Sequence, residues 1–208
     1  MTFILPRVYP ITDVELSGLS HMDQVKRLID AGARLIQLRD KYSAPRDFYQ
    51  DAETALRIAS DQHVTLIIND RVDIALALKS DGAHLGQTDL PVPAARRLLG
   101  DEAIIGLSTH NIEQVQVARQ LPINYIAFGP IFRTQTKAAP DPTTGLRTLK
   151  IVRTLTNLPL VAIGGISAEN ASGVFAAGAD AVATISGVVG DAAKIAENFH
   201  RMLASAPN

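Results

Sequence analysis

Eight short apolar runs recur along the chain with helix-patterned segments between them, and this alternation restricts the fold more than any other feature. The runs are RVYPIT (7–12), LIQLRD (35–40), TLIIND (65–70), GAHLG (82–86), AIIGLST (103–109), YIAFGP (125–130), LVAIGG (160–165) and AVATIS (181–186). After the first run, Met22, Val25, Leu28 and Ile29 fall at helical spacing, with Ser20 and Asp23 as a capping-box start and Gly32 as a stop. The last segment repeats the pattern with Ala192, Ile195, Ala196, Phe199, Met202 and Leu203. Strands that alternate with helices pair in parallel, and near-continuous apolar strands belong to a sheet covered on both faces. Eight such units predict one α/β domain over residues 1–208, a single (β/α)8 TIM barrel at the short end of its length range. An open doubly wound sheet is the alternative; against it, the first strand leads into no Gly-rich dinucleotide turn. The one long irregular connection, IFRTQTKAAPDPTTG (131–145), has the length of a lid or binding loop.

Charge and cysteine usage remove several function classes. Lys plus Arg number 20 against 21 Asp plus Glu, a net charge of -1 that gives no electrostatic case for nucleic acid or an anionic membrane and leaves small molecules as the expected partners. The absence of cysteine excludes disulfides, thiolate catalysis and cysteine zinc sites, and fits a reducing, cytoplasmic location. The start MTFILPRVYPIT has no charged n-region and Pro6 breaks its apolar run, so no signal peptide is expected. No segment approaches the roughly 18 apolar residues of a membrane helix.

Barrel enzymes work where the carboxyl ends of the strands meet their loops. Those ends supply Asp13; Gln37, Arg39 and Lys41; Asn69 and Asp70; Gln87 and Asp89; Ser108, Thr109 and His110; Thr134, Thr136 and Lys137; Gly164 and Gly165; and Ser186. Strand alternation turns Ile36 and Leu38 to the helices, which points Gln37 and Arg39 into the barrel with Lys41 above them. An unpaired interior cation costs several kcal/mol, so this face expects an anion. Asp70 and Asp89 end neighbouring strands; they either pair with those cations or hold Mg2+, which takes one or two carboxylates together with phosphate oxygens and water. On the opposite arc, Gly164-Gly165 and TISG follow the seventh and eighth strands, where this fold keeps its phosphate site, although turns use glycine pairs freely. His84, inside an apolar strand, reads as a satisfied core histidine, and His21, His63 and His200 lack metal-ligand spacing. His110 stands beside Ser108 at a strand end, but helix capping by Thr109 or Asn111 accounts for that region nearly as well.

The stretches YPITD, QLRDK, INDRVDIAL, GAHLGQTDLP, GLSTHN, GPIFRTQTK and AIGGISAEN, ending in AVATIS, occur in order along nearly the whole chain and resemble the thiamine-phosphate synthase family. The resemblance implies a (β/α)8 transferase that joins 4-amino-2-methyl-5-hydroxymethylpyrimidine diphosphate to a thiazole phosphate, carboxylated or not, and releases thiamine phosphate and diphosphate with Mg2+ as cofactor. Position by position, it implies that Gln37, Leu38, Arg39, Asp40, Lys41, Asn69, Ser108 and Lys137 bind the pyrimidine diphosphate. Thr134, Gln135, Thr136, Gly165, Ile185 and Ser186 would bind the thiazole phosphate, and Asp70 and Asp89 the Mg2+. Arg39, Ser108 and Lys137 would act in catalysis.

The implied mechanism is dissociative: diphosphate leaves first and the thiazole nitrogen attacks the pyrimidine methyl cation. That chemistry needs no side-chain nucleophile, in keeping with a chain that has no cysteine and no assignable serine-histidine-acid set. Arg133 stands where the family often has proline, and Arg147 where it often has an acidic residue; neither is an implied ligand. A thiazole tautomerase relative would share the fold and the phosphate arc but would be expected to lose QLRDK or the TQTK lysine, both present here. A non-catalytic metabolite-binding regulator would need neither metal carboxylates nor a lid lysine.

Overall fold

The structure, a computed structural model, describes residues 3–134 and 141–207. Each of the eight apolar runs contains a strand: β1 (Val8–Pro10), β2 (Leu35–Leu38), β3 (Thr65–Asn69), β4 (Gly82–Leu85), β5 (Ile104–Thr109), β6 (Tyr125–Phe128), β7 (Leu160–Ile163) and β8 (Ala181–Thr184). Between and after them lie α1 (Val14–Ser17), α2 (His21–Asp30), α3 (Pro45–Asp61), α4 (Val72–Leu78), α5 (Val92–Leu99), α6 (Ile112–Ala118), α7 (Gly145–Leu155), α8 (Ala171–Ala176), α9 (Ser186–Val189) and α10 (Ile195–Ala204), with a 3-10 turn at Ala192–Lys194. Several runs extend past their strands at the carboxyl end, because the last residues leave the ladder and turn into loops. The helix starts follow local chemistry: the Ser20 hydroxyl accepts the Asp23 N–H at 3.1 Å and donates to the Asp23 carboxylate at 2.8 Å. After α2, Gly32 takes φ 94°, a left-handed conformation that glycine adopts without penalty.

All seven ladders of the eight-stranded sheet are parallel, in the order β1-β8-β7-β6-β5-β4-β3-β2. Its two ends meet at a parallel bridge between Ile11 and Gln37, where the Thr12 N–H donates to the Gln37 carbonyl at 2.9 Å, so the sheet closes into the barrel. Strand alternation then separates two apolar layers. Ile36, Leu38, Leu66, Ile68, Ile105 and Phe128 face the helices, while Tyr9, Ile11, Leu35, Ile67, Tyr125, Ala127, Val161, Ala181 and Ala183 fill the interior. Phe3 and Leu5 pack against the interior set, and the Phe3 ring stacks on Tyr125 with centroids 5.8 Å apart.

The amino-terminal rim is held by a device the sequence reading did not identify. Asp81, Asn124 and Asp180, each just before an even-numbered strand, accept the backbone N–H of Leu66, Ile105 and Leu160 on the preceding strand at 2.7, 2.8 and 2.8 Å. Arg96 and Arg153 donate to the side chains of Asn124 and Asp180 in turn. Strand-end N–H groups that would otherwise lack acceptors are thereby satisfied, and the opposite rim is left to carry polar groups for other purposes.

Candidate active site

A cavity of about 440 Å3, a volume suited to small-molecule ligands, opens at the carboxyl ends of the strands. Its floor is uncharged and largely apolar, made by Tyr9, Ile11, Ala127, Val161 and Ala183, and its polar residues come from the strand-end loops. Of the residues marked in the sequence, Gln37, Arg39, Lys41, Asn69, Asp70, Asp89, Ser108, His110, Thr134, Gly164, Gly165, Ile185 and Ser186 line it. Gln135, Thr136 and Lys137 lie outside the described residues.

Leu38 and Asp40 are not brought to this cavity. Leu38 is fully buried in the layer between sheet and helices, as its strand parity requires. The Asp40 carboxylate turns into its own loop, accepting the N–H groups of Tyr42 and Ser43 at 2.9 and 2.8 Å and facing His21 Nε2 at 3.4 Å. Burial raises the Asp40 pKa, but the hydrogen bonds from Ser43 and Tyr42 outweigh it and hold the group below the ordinary range.

The loop after β2 is braced from behind. Thr12 Oγ1 lies 2.7 Å from His21 Nδ1 and 3.4 Å from the Arg39 N–H, so His21 touches both the residue under Arg39 and the carboxylate that shapes the loop around Lys41. Burial lowers the His21 pKa against the opposing pull of Asp51, Asp40 and Asp13. His21 therefore has a positioning part that its helical setting in the sequence did not show.

Both interior cations have partners. Arg39 Nη1 pairs at 2.6 Å with Asp13, which also caps α1 by accepting the Leu16 N–H, and Lys41 Nζ pairs with Asp70. Asp70 takes φ 59°, a strained conformation for a residue other than glycine, and its N–H donates to the His84 carbonyl at 2.8 Å. Asp89 accepts the Gly86 N–H at 2.7 Å. Burial raises the Asp89 pKa, the Gly86 N–H opposes this, and the adjoining Asp70 carboxyl raises it further. Two carboxylates are thus held together with one lysine beside them. Among the described residues no group of three or more His, Cys, Asp or Glu side chains forms a complete metal cage. The pair fits Mg2+ all the same, since that ion takes one or two carboxylates when phosphate and water supply the remaining oxygens.

Across the rim, Gly164 and Gly165 take φ values of 99° and 63°. A Cβ on Gly164 would stand 2.5 Å from Pro130 Cα, and one on Gly165 would stand 2.5 Å from the Arg133 carbonyl oxygen. The glycines are therefore required for packing the loop after β7 against the loop after β6 as well as for backbone conformation. Immediately after β8 comes the short α9, starting at Ser186, in the place where barrel enzymes seat phosphate on backbone N–H groups.

His84, read as a core histidine, is indeed satisfied, but one of its partners belongs to the site. Its Nδ1 lies 2.9 Å from the Tyr125 hydroxyl and its Nε2 2.8 Å from Ser108 Oγ. Burial pushes its pKa down to about 4, with Asp89 opposing and Lys41 assisting, so the ring is neutral at neutral pH. The Tyr125 hydroxyl is 3.1 Å from that of Tyr9, which accepts from Gln37 Nε2 at 3.0 Å. His110 is not consumed by capping: Asn111 caps α6, while His110 Nδ1 donates to the Gly129 carbonyl at 2.7 Å and lies 3.6 Å from Asp141.

Comparison with known proteins agrees with this geometry. The family model described as thiamine monophosphate synthase matches residues 8–188. A thiamine-phosphate synthase of Koribacter versatilis is 43% identical over 97% of both chains, and one of Syntrophomonas wolfei is 44% identical over 88% of both. A solved structure, the thiamine phosphate pyrophosphorylase from Pyrococcus furiosus, superposes with a TM-score of 0.84 at 32% identity, covering 95% of each chain. With the family model spanning the barrel from β1 into α9 and relatives this similar along nearly their full length, the chain belongs to the thiamine monophosphate synthase family.

Proposed function

We propose that the protein condenses 4-amino-2-methyl-5-hydroxymethylpyrimidine diphosphate with a thiazole phosphate, forming thiamine phosphate and diphosphate as a transferase of thiamine biosynthesis. The observation that carries this reading is the division of one rim into two anion-seeking arcs over an uncharged floor. Arg39, Lys41, Asp70 and Asp89 stand on one arc, and Gly164, Gly165 and the start of α9 on the other. A diphosphate with its metal suits the first arc and a monophosphate the second, while the planar rings occupy the space between.

In this reaction the bond between the pyrimidine methylene carbon and the diphosphate oxygen breaks, and the electron pair leaves with the diphosphate. The thiazole nitrogen then supplies the pair for the new C–N bond, and no proton transfer is needed. Arg39 and Lys41 would balance charge growing on the departing group, and Lys137 is assigned the same part by the family resemblance. Gln37, Asn69 and Ser108 would orient the pyrimidine, whereas Thr134, Ile185, Ser186 and the Gly165 backbone, with Gln135 and Thr136, would seat the thiazole phosphate. Asp70 and Asp89 would hold Mg2+, which when bound neutralises diphosphate charge.

The partners are small molecules, and no helix among the described residues is long and apolar enough to cross a membrane. Purified protein given both substrates and Mg2+ should form thiamine phosphate and diphosphate in equal amounts, and a chelator should abolish the reaction. Turnover indifferent to chelator would remove the metal from the mechanism. Isomerisation of a thiazole phosphate without condensation would favour the tautomerase reading instead.

A further inference from the structure

The first turn of α2 carries two fully buried polar side chains, His21 and Gln24. Neither lines the cavity, yet both reach residues that hold its cations. Gln24 Oε1 accepts the Asp13 N–H at 3.1 Å, and Asp13 pairs with the Arg39 guanidinium at 2.6 Å. His21 spans two partners, with Nδ1 2.7 Å from Thr12 Oγ1 and Nε2 3.4 Å from Asp40 Oδ2. The Thr12 hydroxyl accepts the Arg39 N–H at 3.4 Å, while Asp40 Oδ1 accepts the N–H groups of Tyr42 and Ser43, so the Asp40 side chain closes a turn around Lys41.

Proton placement at His21 follows from these neighbours. Asp40, held below the ordinary carboxylate range, is ionised and can only accept, so its contact with Nε2 is attractive when Nε2 carries the ring proton. Nδ1 then offers a lone pair to the Thr12 O–H, and the threonine lone pairs remain for the Arg39 N–H. A neutral ring suits the place, because burial lowers its pKa and a helix amino terminus disfavours a cation. The ring is fixed from α3: the backbone N–H groups of His21 and Met22 donate to Asp51 at 2.7 and 3.2 Å, and Phe48 packs against the imidazole with centroids 5.4 Å apart. Hydroxyl, imidazole and carboxylate stand in the order of a nucleophilic set, but Thr12 is completely buried, so the set serves position and not attack.

We propose that His21 is a positioning residue for the diphosphate arc: through Thr12 and Asp40 it fixes the backbone that carries Arg39 and Lys41, so that one buried ring sets both cations. Resting on the pyrimidine reading above, this adds to that site a residue that touches no ligand. The opposite arc is held by other bonds, the Gly164 carbonyl accepting the Phe132 N–H at 3.0 Å and the Gly165 carbonyl accepting Asn170 Nδ2 at 3.0 Å. Thiazole phosphate binding should therefore be independent of the ring.

The test is calorimetric binding of each ligand by itself, the pyrimidine diphosphate with Mg2+ and the thiazole phosphate, so that nothing turns over. His21→Phe keeps a ring against Phe48 and removes both nitrogens; the released Thr12 hydroxyl has the Gln37 carbonyl 3.3 Å away, so the fold should hold. Pyrimidine diphosphate binding should weaken by roughly 10- to 100-fold, the usual loss when a residue that orients ligand-binding groups is removed, while thiazole phosphate binding stays within about twofold. His21→Asn keeps an acceptor near Nδ1 and His21→Gln a donor near Nε2, so each retains one strut and should lose less than His21→Phe. Should His21→Phe not fold, these two carry the same comparison. A merely structural role would weaken both ligands by the same factor; that result, or pyrimidine diphosphate binding unchanged in the variants, would overturn the positioning role alone. Failure of the wild-type protein to bind the pyrimidine diphosphate would overturn the pyrimidine reading and this inference with it.

Discussion

Acid should destabilise this protein through His84, and the size of the effect follows from where the ring sits. Its residue is 6% exposed, and both ring nitrogens are held by hydroxyls, with no carboxylate hydrogen-bonded to either. A histidine in the unfolded chain titrates near 6.5. In the folded protein, burial keeps His84 neutral down to about 4. Between those values the unfolded state holds the extra proton, so the folded state loses ground as pH falls. The contribution is fully present above pH ~6.5 and is lost progressively toward pH ~4. At ~1.4 kcal/mol per pH unit the whole interval is worth ~3 kcal/mol, of which roughly 2 kcal/mol falls between pH 7 and pH 4.5.

Urea unfolding of the wild-type protein and of His84→Asn, both without ligands, isolates this share, because groups titrating alike in the two proteins cancel in the difference. His84→Asn should be the less stable at pH 7, since it disturbs the Tyr125 and Ser108 bonds. Its deficit should narrow by roughly 2 kcal/mol at pH 4.5, about 4–8 °C in Tm for a chain of this size. A deficit of the same size at both pH values would refute a neutral, buried His84.

The other expectations spread over the two rims. Asp180→Ala removes the acceptor of the Leu160 N–H and the partner of Arg153, and should cost about 1–3 kcal/mol in unfolding, whereas Glu169→Ala at an exposed pair should leave the unfolding curve essentially unchanged. Gly165→Ala places a Cβ 2.5 Å from the Arg133 carbonyl at a φ of 63°, so titration should show thiazole phosphate binding lost well before pyrimidine diphosphate binding. Lys137→Ala should lower turnover by on the order of 10² to 10³ with the unfolding curve intact, the usual loss for one preorganised donor. Asp89→Asn should raise the Mg2+ requirement and cut turnover while leaving ligand-free stability level or higher, because its carboxyl is raised by burial and by Asp70; a clear fall in stability with unchanged Mg2+ dependence would contradict that.

The barrel was legible because its strands obey two simple rules at once: they are apolar on both faces and separated by helix-length segments. The same parity placed Gln37 inward and Leu38 outward, and the Leu38 side chain packs among helix-facing side chains instead of lining the cavity. Asp40 shows a different limit. Its outward parity was readable, but its bonds to Ser43 and Tyr42 depend on a loop conformation that no periodicity encodes. His84 and Tyr125 were hidden because each is one polar group in an apolar run, and their linkage joins residues 41 positions apart. Three rim residues, Asp81, Asn124 and Asp180, carry a weak signal that was present in the sequence: an Asx residue directly before an even-numbered strand, three times over.

The ion pairs of the free site bear on how it would receive its ligands. Read from sequence, Asp70 and Asp89 either paired with cations or served a metal, and the structure pairs Asp70 with Lys41 while bringing Asp89 beside it. On the proposed function the two readings describe successive states of one cluster. Without ligand, Lys41 limits the repulsion between two adjoining carboxyls, and burial with that repulsion keeps the Asp89 pKa raised. An arriving diphosphate offers Lys41 a more highly charged partner, and the metal that comes with it offers the carboxylates a better one, so the Lys41–Asp70 pair is exchanged rather than broken. Arg39 differs, since its partner Asp13 does not line the cavity with the carboxylate pair and also caps α1. Arg39 can therefore stay anchored while its guanidinium faces the cavity, a fixed charge beside a movable one. On the proposed function a preorganised cation and an exchangeable one would divide the work of the arc: Arg39 would set where the diphosphate lies, and Lys41 would trade its carboxylate partner for the diphosphate.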